Sequence, residues 1–229
     1  MTLDIFSRSP CQPYCDAAHP IEYNISHPHE VDSRRNPMKK SLGPIILAYP
    51  MPVWVVGTYG PDGKPNAATA AAGMVCCRKP PCIAVSFREA TYTYHNLKER
   101  QAFTVNFPSE SHIKETDYFG IATGRREDKF AATGLTPIPS SLVDAPYVGE
   151  FPLVLECKLI HALELGSHTQ FIGEILDVKA EEDVLGEKGF PNPKKLKPLV
   201  YDIGHATYYG IGEFLGQAFT MGQEFKRTS

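Results

Sequence analysis

The sequence predicts a mainly β domain with a few short helices, and three observations carry that expectation. Apolar runs with β-branched residues recur between turn residues, as in Val53–Tyr59 and "CIAVSF", Cys82–Phe87. Two longer strands, Leu153–Leu165 and Thr169–Ala180, are joined by the short turn "LGSH". Helical patterning is confined to brief stretches, the clearest running from Thr93 to about Arg100.

Residues 1–37 come first and differ in kind. Repeated prolines, scattered charges and little periodicity predict a poorly ordered N-terminal extension, or a start codon placed too far upstream. No long apolar core with a small-residue cleavage site marks a secretory signal. Cys11, Cys15, His19, His27 and His29 are potential ligands, but their spacing fits no recognised metal site. The main domain is expected over 38–229.

Within it, the strand Val53–Tyr59 meets a Gly60-Pro61-Asp62-Gly63 turn, a mechanistic hairpin signal. Trp54, the single tryptophan, reads as core. Asn66–Val75 follows as one Ala-rich strand with no bulky side chain until Met74. Small residues in strands mark close approach by a ligand or by another backbone, and the second reading is an ordinary core strand. Pro80-Pro81 turns the chain into "CIAVSF". "REATYT" then leads into a helix with Thr93 as N-cap. A strand end, hydroxyls, an arginine and a helix N-terminus in succession make a natural phosphate site.

Ala102–Pro108 alternates like a half-buried strand, and short helices are expected near Glu115–Ala122 and Glu127–Thr133. Between them, Arg125, Arg126 and Lys129 read alone as a solvated face. "LTPIPSSLVDAPYV" should wrap the outside. Beyond the two long strands, "DVLGEKGFPNPKKLKP" is too polar for core. "LVYDIGHATYYGIGEFLG" supplies a last aromatic strand or turn-rich segment.

Composition excludes several classes. Lys plus Arg is 23 and Asp plus Glu 26, a net charge of −3 without a basic stripe, which argues against nucleic acid as a partner. No apolar run approaches the roughly 20 residues of a membrane helix. Adjacent and strand-borne cysteines do not form a secreted disulfide framework, so a cytoplasmic location is expected. Cys76, Cys77 and Cys82 lack a convincing fourth metal partner and are expected, with Cys157, as small buried core residues. No Gly-x-Gly-x-x-Gly fingerprint follows a strand, and no Ser-His-Asp order or zinc-protease motif is present.

The segments "PVWVVGTYGPDGKPNAATAA", "ATYTYHNLKERQAFTVNFPS", "TDYFGIATGRREDKFAATGL" and "LGSHTQFIGEILDV" together resemble the flavin reductase-like family of FMN-binding split barrels, closest to its flavoredoxin branch. The resemblance runs from Met38 to about Met221. It implies a split β-barrel holding non-covalent FMN, a homodimer with the flavin near the subunit interface, and NAD(P)H docking transiently as electron donor. Within it, Ser86, Arg88, Thr91, Thr93 and Lys129 become the phosphate and ribityl candidates. Asn66, Thr69, Ala70, Ala71 and Ala72 offer backbone to the ring, with Phe87 and Tyr92 beside them. His168, in the "G-x-H" turn, becomes the catalytic candidate, although a turn histidine read alone is a surface residue. Tyr201 stands where relatives place an aromatic near the cofactor. Relatives can carry tryptophan at the position of Ala72, so one stacking partner is expected to be missing.

Three functions are compatible with these residues: an NAD(P)H-dependent flavin reductase, a flavoredoxin-type carrier served by a redox protein, and a non-catalytic flavin-binding module.

Overall fold

The computed structural model describes residues 38–226. The expectations for residues 1–37, with their weighed metal ligands, lie outside the described residues. The chain divides after Pro44 into two units, and every described helix and strand belongs to the second.

A two-residue strand, β1 (Met51–Pro52), precedes the hairpin of β2 (Trp54–Tyr59) and β3 (Pro65–Ala70). The Pro-Asp-Gly turn sets this register, with Trp54 opposite Ala70 and Tyr59 opposite Pro65. Successive side chains of β2 enter different cores, as the period of a strand requires. Val56 and Trp54 join Ile83, Val85, Phe103, Val105 and Phe171, whereas Val55 joins Ala67, Phe119, Phe130 and Phe151. Trp54 packs tilted against Phe107 at 5.6 Å, a core residue as expected.

The stretch expected as one strand, Asn66–Val75, is two. Strand β3 ends at Ala70, and β4 (Gly73–Arg78) begins after Ala71 and Ala72. The remaining strands are β5 (Pro81–Phe87), β6 (Ala102–Phe107), β7 (Pro137–Pro139), β8 (Pro146–Val148), β9 (Leu153–Glu164), β10 (Thr169–Ala180), β11 (Leu199–Asp202) and β12 (Thr207–Gly210).

Seven of them make one antiparallel sheet in the order β3-β2-β6-β9-β10-β5-β4. Its two edge strands, β3 and β4, are thus separated by only Ala71 and Ala72 in the chain. Two linking residues cannot cross a flat seven-stranded sheet, because each spans at most about 3.6 Å and neighbouring strands lie about 4.8 Å apart. The sheet must curl until its edges approach, leaving a seam without a strand ladder: a split barrel. Across the interior, the Trp54 ring fills the space where a Cβ on Gly73 would lie, 2.3 Å from Cζ3.

Helix α1 (Tyr92–Arg100) follows β5 and buries Tyr94 and Leu97 in the barrel core. Its N-cap is Thr91 rather than the expected Thr93: the Thr91 hydroxyl accepts the Tyr94 N–H at 3.3 Å. Thr93 is instead buried within the first turn. Helices α2 (Ile113–Ile121) and α3 (Lys129–Thr133) contribute Phe119 and Phe130 to the core outside β2 and β3.

Two further expectations are corrected. The stretch after Glu181, expected to be too polar for core, forms a 3-10 turn and the short helix α4 (Pro193–Leu196). It buries Val184 and Leu196. Among the cysteines, Cys82 and Cys157 are buried, but Cys76 and Cys77 are exposed. Both sheet edges have a single neighbouring strand, but β3 is packed by α2 and α3, whereas the side chains of β4 from Met74 onward are exposed.

Candidate functional site

An open cleft of about 620 Å³ lies where the linker between β3 and β4 passes the end of β5. All the candidate cofactor and catalytic residues named from the sequence stand on its wall. Asn66, Thr69 and Ala70 come from β3, Ala71 and Ala72 from the linker, Ser86 and Phe87 from β5, and Arg88 and Thr91 from the following loop. Tyr92 and Thr93 come from the first turn of α1, Lys129 from the start of α3, His168 from the turn between β9 and β10, and Tyr201 from β11.

The backbone explains this convergence. Ala70, Ala71 and Ala72 present only methyl groups, so the wall they build is largely peptide N–H and C=O. At α1, the Thr91 side chain takes the Tyr94 N–H. The first-turn amides of Tyr92 and Thr93 have no intrahelical acceptor and remain available to an anion. Thr91 itself is pinned by its N–H and its hydroxyl, both donating to Arg88 O, at 3.0 and 2.8 Å.

Behind that turn sits a buried polar network. Asn66 Nδ2 donates to Thr58 Oγ1 at 3.3 Å and to Thr93 Oγ1 at 3.1 Å, and Asn96 Nδ2 donates to Thr58 Oγ1 at 3.0 Å. Asn66 Oδ1 is buried with no hydrogen-bond partner. A buried acceptor in that condition costs about 1–3 kcal/mol, and Asn66 borders the cleft, so a ligand N–H or O–H suits it.

Lys129 is 4% exposed, and its ammonium donates to Ala67 O at 2.7 Å and Phe119 O at 2.9 Å. It therefore ties β3 to the end of α2 and keeps one of its three N–H groups. Burial lowers its pKa from 10.5 to about 8, against a small opposing pull from Glu127. A neighbouring anion would favour the ammonium again.

On another wall, Met51 of β1 stands in register with Tyr201 of β11. The turn after Tyr201 is braced by Asp202, which accepts from Tyr49 Oη at 2.6 Å, from the Gly204 N–H at 2.8 Å and pairs with His205 Nδ1 at 2.8 Å. Those bonds, the one from Tyr49 foremost, hold the Asp202 carboxyl down at about 2. The Tyr201 ring leans on Tyr208 at 5.5 Å, and Tyr208 donates to Asp117 Oδ1 at 2.9 Å. His168 is half-buried, its Nδ1 2.9 Å from Ser167 Oγ.

Sequence reasoning missed several wall residues: Met51, Ala90, Ile203 and the run Phe119–Gly124. One of them left a signal. A Cβ on Gly124 would sit 2.3 Å from Asn66 Oδ1 and 2.8 Å from the Tyr92 ring, so only glycine permits this approach. Met51 left none, since its place depends on pairing with a strand about 150 residues away.

The residues present fit a flavin mononucleotide by their donor chemistry: free helix amides, hydroxyls and cations for a phosphate, a peptide wall for a flat ring, and an unpaired buried acceptor. The chain aligns with the flavoredoxin structure of Desulfovibrio vulgaris (Miyazaki F) at 53% identity and TM-score 0.78, covering 81% of this chain and all of that one. A flavoredoxin structure from Methanosarcina acetivorans follows at 30% identity and TM-score 0.76, covering 84% and 100%. A flavin reductase (NADH) of Kitasatospora aureofaciens is 28% identical over 69% of this chain and 74% of its own length. Against a 33%-identical relative from Archaeoglobus fulgidus, the match spans 65% of that protein's length. The sequence profile of the Flavin reductase like domain matches residues 46–210, and the chain belongs to that flavin-binding family.

Proposed function

We propose that this protein holds FMN non-covalently in the cleft and acts as an NAD(P)H-dependent oxidoreductase of the flavin reductase type. The observation that carries this reading is the convergence, in one open cleft, of the α1 N-terminus with its hydroxyls and Arg88, the peptide wall Ala70–Ala72, and His168. When bound, the flavin supplies the redox chemistry, and the protein supplies orientation and electrostatics.

In this reading, Ser86, Arg88, Thr91 and the amides of Tyr92 and Thr93 bind the phosphate, and Lys129 adds its third N–H. Charge-assisted bonds from such groups are the strong ones. Asn66, Thr69 and Ala70–Ala72 orient the pyrimidine edge of the ring, with Phe87 and Tyr92 bounding it. His168 stands at the cleft wall as a hydrogen-bond or proton donor to the reacting face, and Tyr201 flanks the entry. The cleft is open, so a nicotinamide can dock transiently without a dinucleotide fold. The absence of a dinucleotide fingerprint in the sequence favours FMN over FAD.

A cytoplasmic homodimer completes the proposal. Exposed Phe214, Leu215, Phe219 and Phe225 give the C-terminal segment an apolar surface suited to a second copy.

The similarity to flavoredoxins favours a second reading, an electron carrier loaded by a redox protein rather than by NAD(P)H. Anaerobic stopped-flow mixing with NADH and then NADPH separates the two. The reductase reading expects rapid bleaching of the flavin absorbance by at least one nucleotide. Bleaching by neither, with full reduction by dithionite, would overturn it in favour of the carrier.

A further inference from the structure

The hairpin of β4 and β5 carries three thiols that the flavin cleft does not use. Cys76 and Cys77 are exposed and Cys82 is buried, and all three are free. The antiparallel register sets Cys77 directly opposite Cys82, across the turn Arg78-Lys79-Pro80-Pro81. Residues directly opposed in such a ladder have Cα atoms about 4.5–5.5 Å apart. A disulfide bridges Cα separations of about 4.4–6.8 Å, so either kind of opposed pair is within its reach. The irregularity between Val75 and Cys77 leaves Cys76 without a partner on β5.

The surroundings divide the two thiols by role. Cys77 is open to solvent and precedes two exposed cations, Arg78 and Lys79. Positive neighbours attract anionic reagents to this exposed sulfur. Cys82 donates its S–H to Pro80 O at 3.4 Å, which holds it on the side of the turn. Burial, with the nearby Cys77 thiol adding to it, pushes Cys82 above the ordinary thiol range. It therefore stays protonated and unreactive until a partner sulfur is presented beside it.

We propose that Cys77 and Cys82 form a thiol–disulfide exchange site for low-molecular-weight disulfides of the glutathione class. The Cys77 thiolate attacks one sulfur of the small disulfide, and the S–S bond breaks. One small thiolate leaves and takes up the proton that Cys77 released. The product is a mixed disulfide on Cys77, held outside the barrel by the edge position of β4. Cys82 then attacks the Cys77 sulfur, the bond to the small group breaks, and the second small thiol leaves with the Cys82 proton. The protein dithiol is oxidised by two electrons and the small disulfide is reduced to two thiols. The new bond staples β4 to β5 at the end of the hairpin away from Ser86 and Phe87.

The test uses the full chain with its bound flavin, equilibrated in glutathione buffers of increasing oxidised fraction. Free thiols are then trapped with N-ethylmaleimide, and bridges are mapped by non-reducing peptide mass spectrometry. The expected result is a Cys77–Cys82 bridge that accumulates with the oxidised fraction and is unchanged in Cys76→Ser. Cys82→Ser should halt at a glutathione adduct on Cys77, at least about tenfold more abundant than in the unaltered chain, because the resolving thiol is gone. A bridge joining Cys76 to Cys77, equal bridging in Cys77→Ser, or full trapping of Cys77 and Cys82 in the most oxidised buffer would each overturn the proposal. The mapping on the unaltered chain decides the matter even where a variant misfolds.

Discussion

Lys129 shows how burial turns a solvated-looking cation into a pH-dependent one. Its pKa falls from 10.5 to about 8 because the side chain is buried. Between those values the unfolded chain binds more protons than the folded one, so this residue's contribution to stability improves as pH rises from about 8 to 10.5. A bound phosphate works in the opposite direction by favouring the ammonium. FMN affinity should therefore fall as pH rises past about 8. Lys129→Ala should weaken FMN by about 1–3 kcal/mol and lose that dependence. Fluorescence titrations at about pH 7 and about pH 9.5 check both points. An affinity flat in pH and unchanged by the substitution would leave Lys129 only its structural bonds to Ala67 and Phe119. His168 tests differently. His168→Ala should keep FMN bound yet slow its reduction, by about 10²–10⁴-fold for an acid–base role and by at least about tenfold for a positional one. Loss of the flavin would make His168 a holding residue, and unaltered kinetics with every competent donor would remove it from the site.

Element by element, the sequence was most readable where a local signal exists. The Pro-Asp-Gly hairpin, the two long strands and the helix after Thr91 needed only turn chemistry and periodicity. The break at Ala71 and Ala72 had no such signal, since neither residue interrupts a strand by itself. It exists because the chain must leave one sheet edge for the other, a condition set by pairings far away. The exposure of Cys76 and Cys77 has the same origin: an apolar strand reads alike at a sheet's centre and at its edge. Gly73 reports the same crossing through packing. Gly73→Ala would set a methyl 2.3 and 2.6 Å from the Trp54 ring and 3.1 Å from Ala84 O. The substitution should destabilise by about 1–3 kcal/mol, as overpacked cores do. A denaturant midpoint equal to the parent's would mean that the indole can shift at no cost.

For the molecule as a whole, the cleft is a product of barrel closure. Its walls come from β3, β5, α1, α2, α3, the β9–β10 turn and β11, which meet only once the sheet has curled. Motif resemblance could therefore name residues that line this cleft. It could not name Met51, Ile203 or the Phe119–Gly124 wall, which carry no motif of their own. The sequence of residues 1–37 lacks the apolar periodicity that joins a core. Removing them should leave flavin content and melting temperature nearly unchanged; a melting temperature lowered by several degrees would show that they pack. The central claim is that the cleft holds FMN. Acid release of the flavin from the purified chain, followed by chromatography against FMN and FAD, tests it most directly. The expected result is FMN at close to one per chain; FAD as the sole flavin would contradict it.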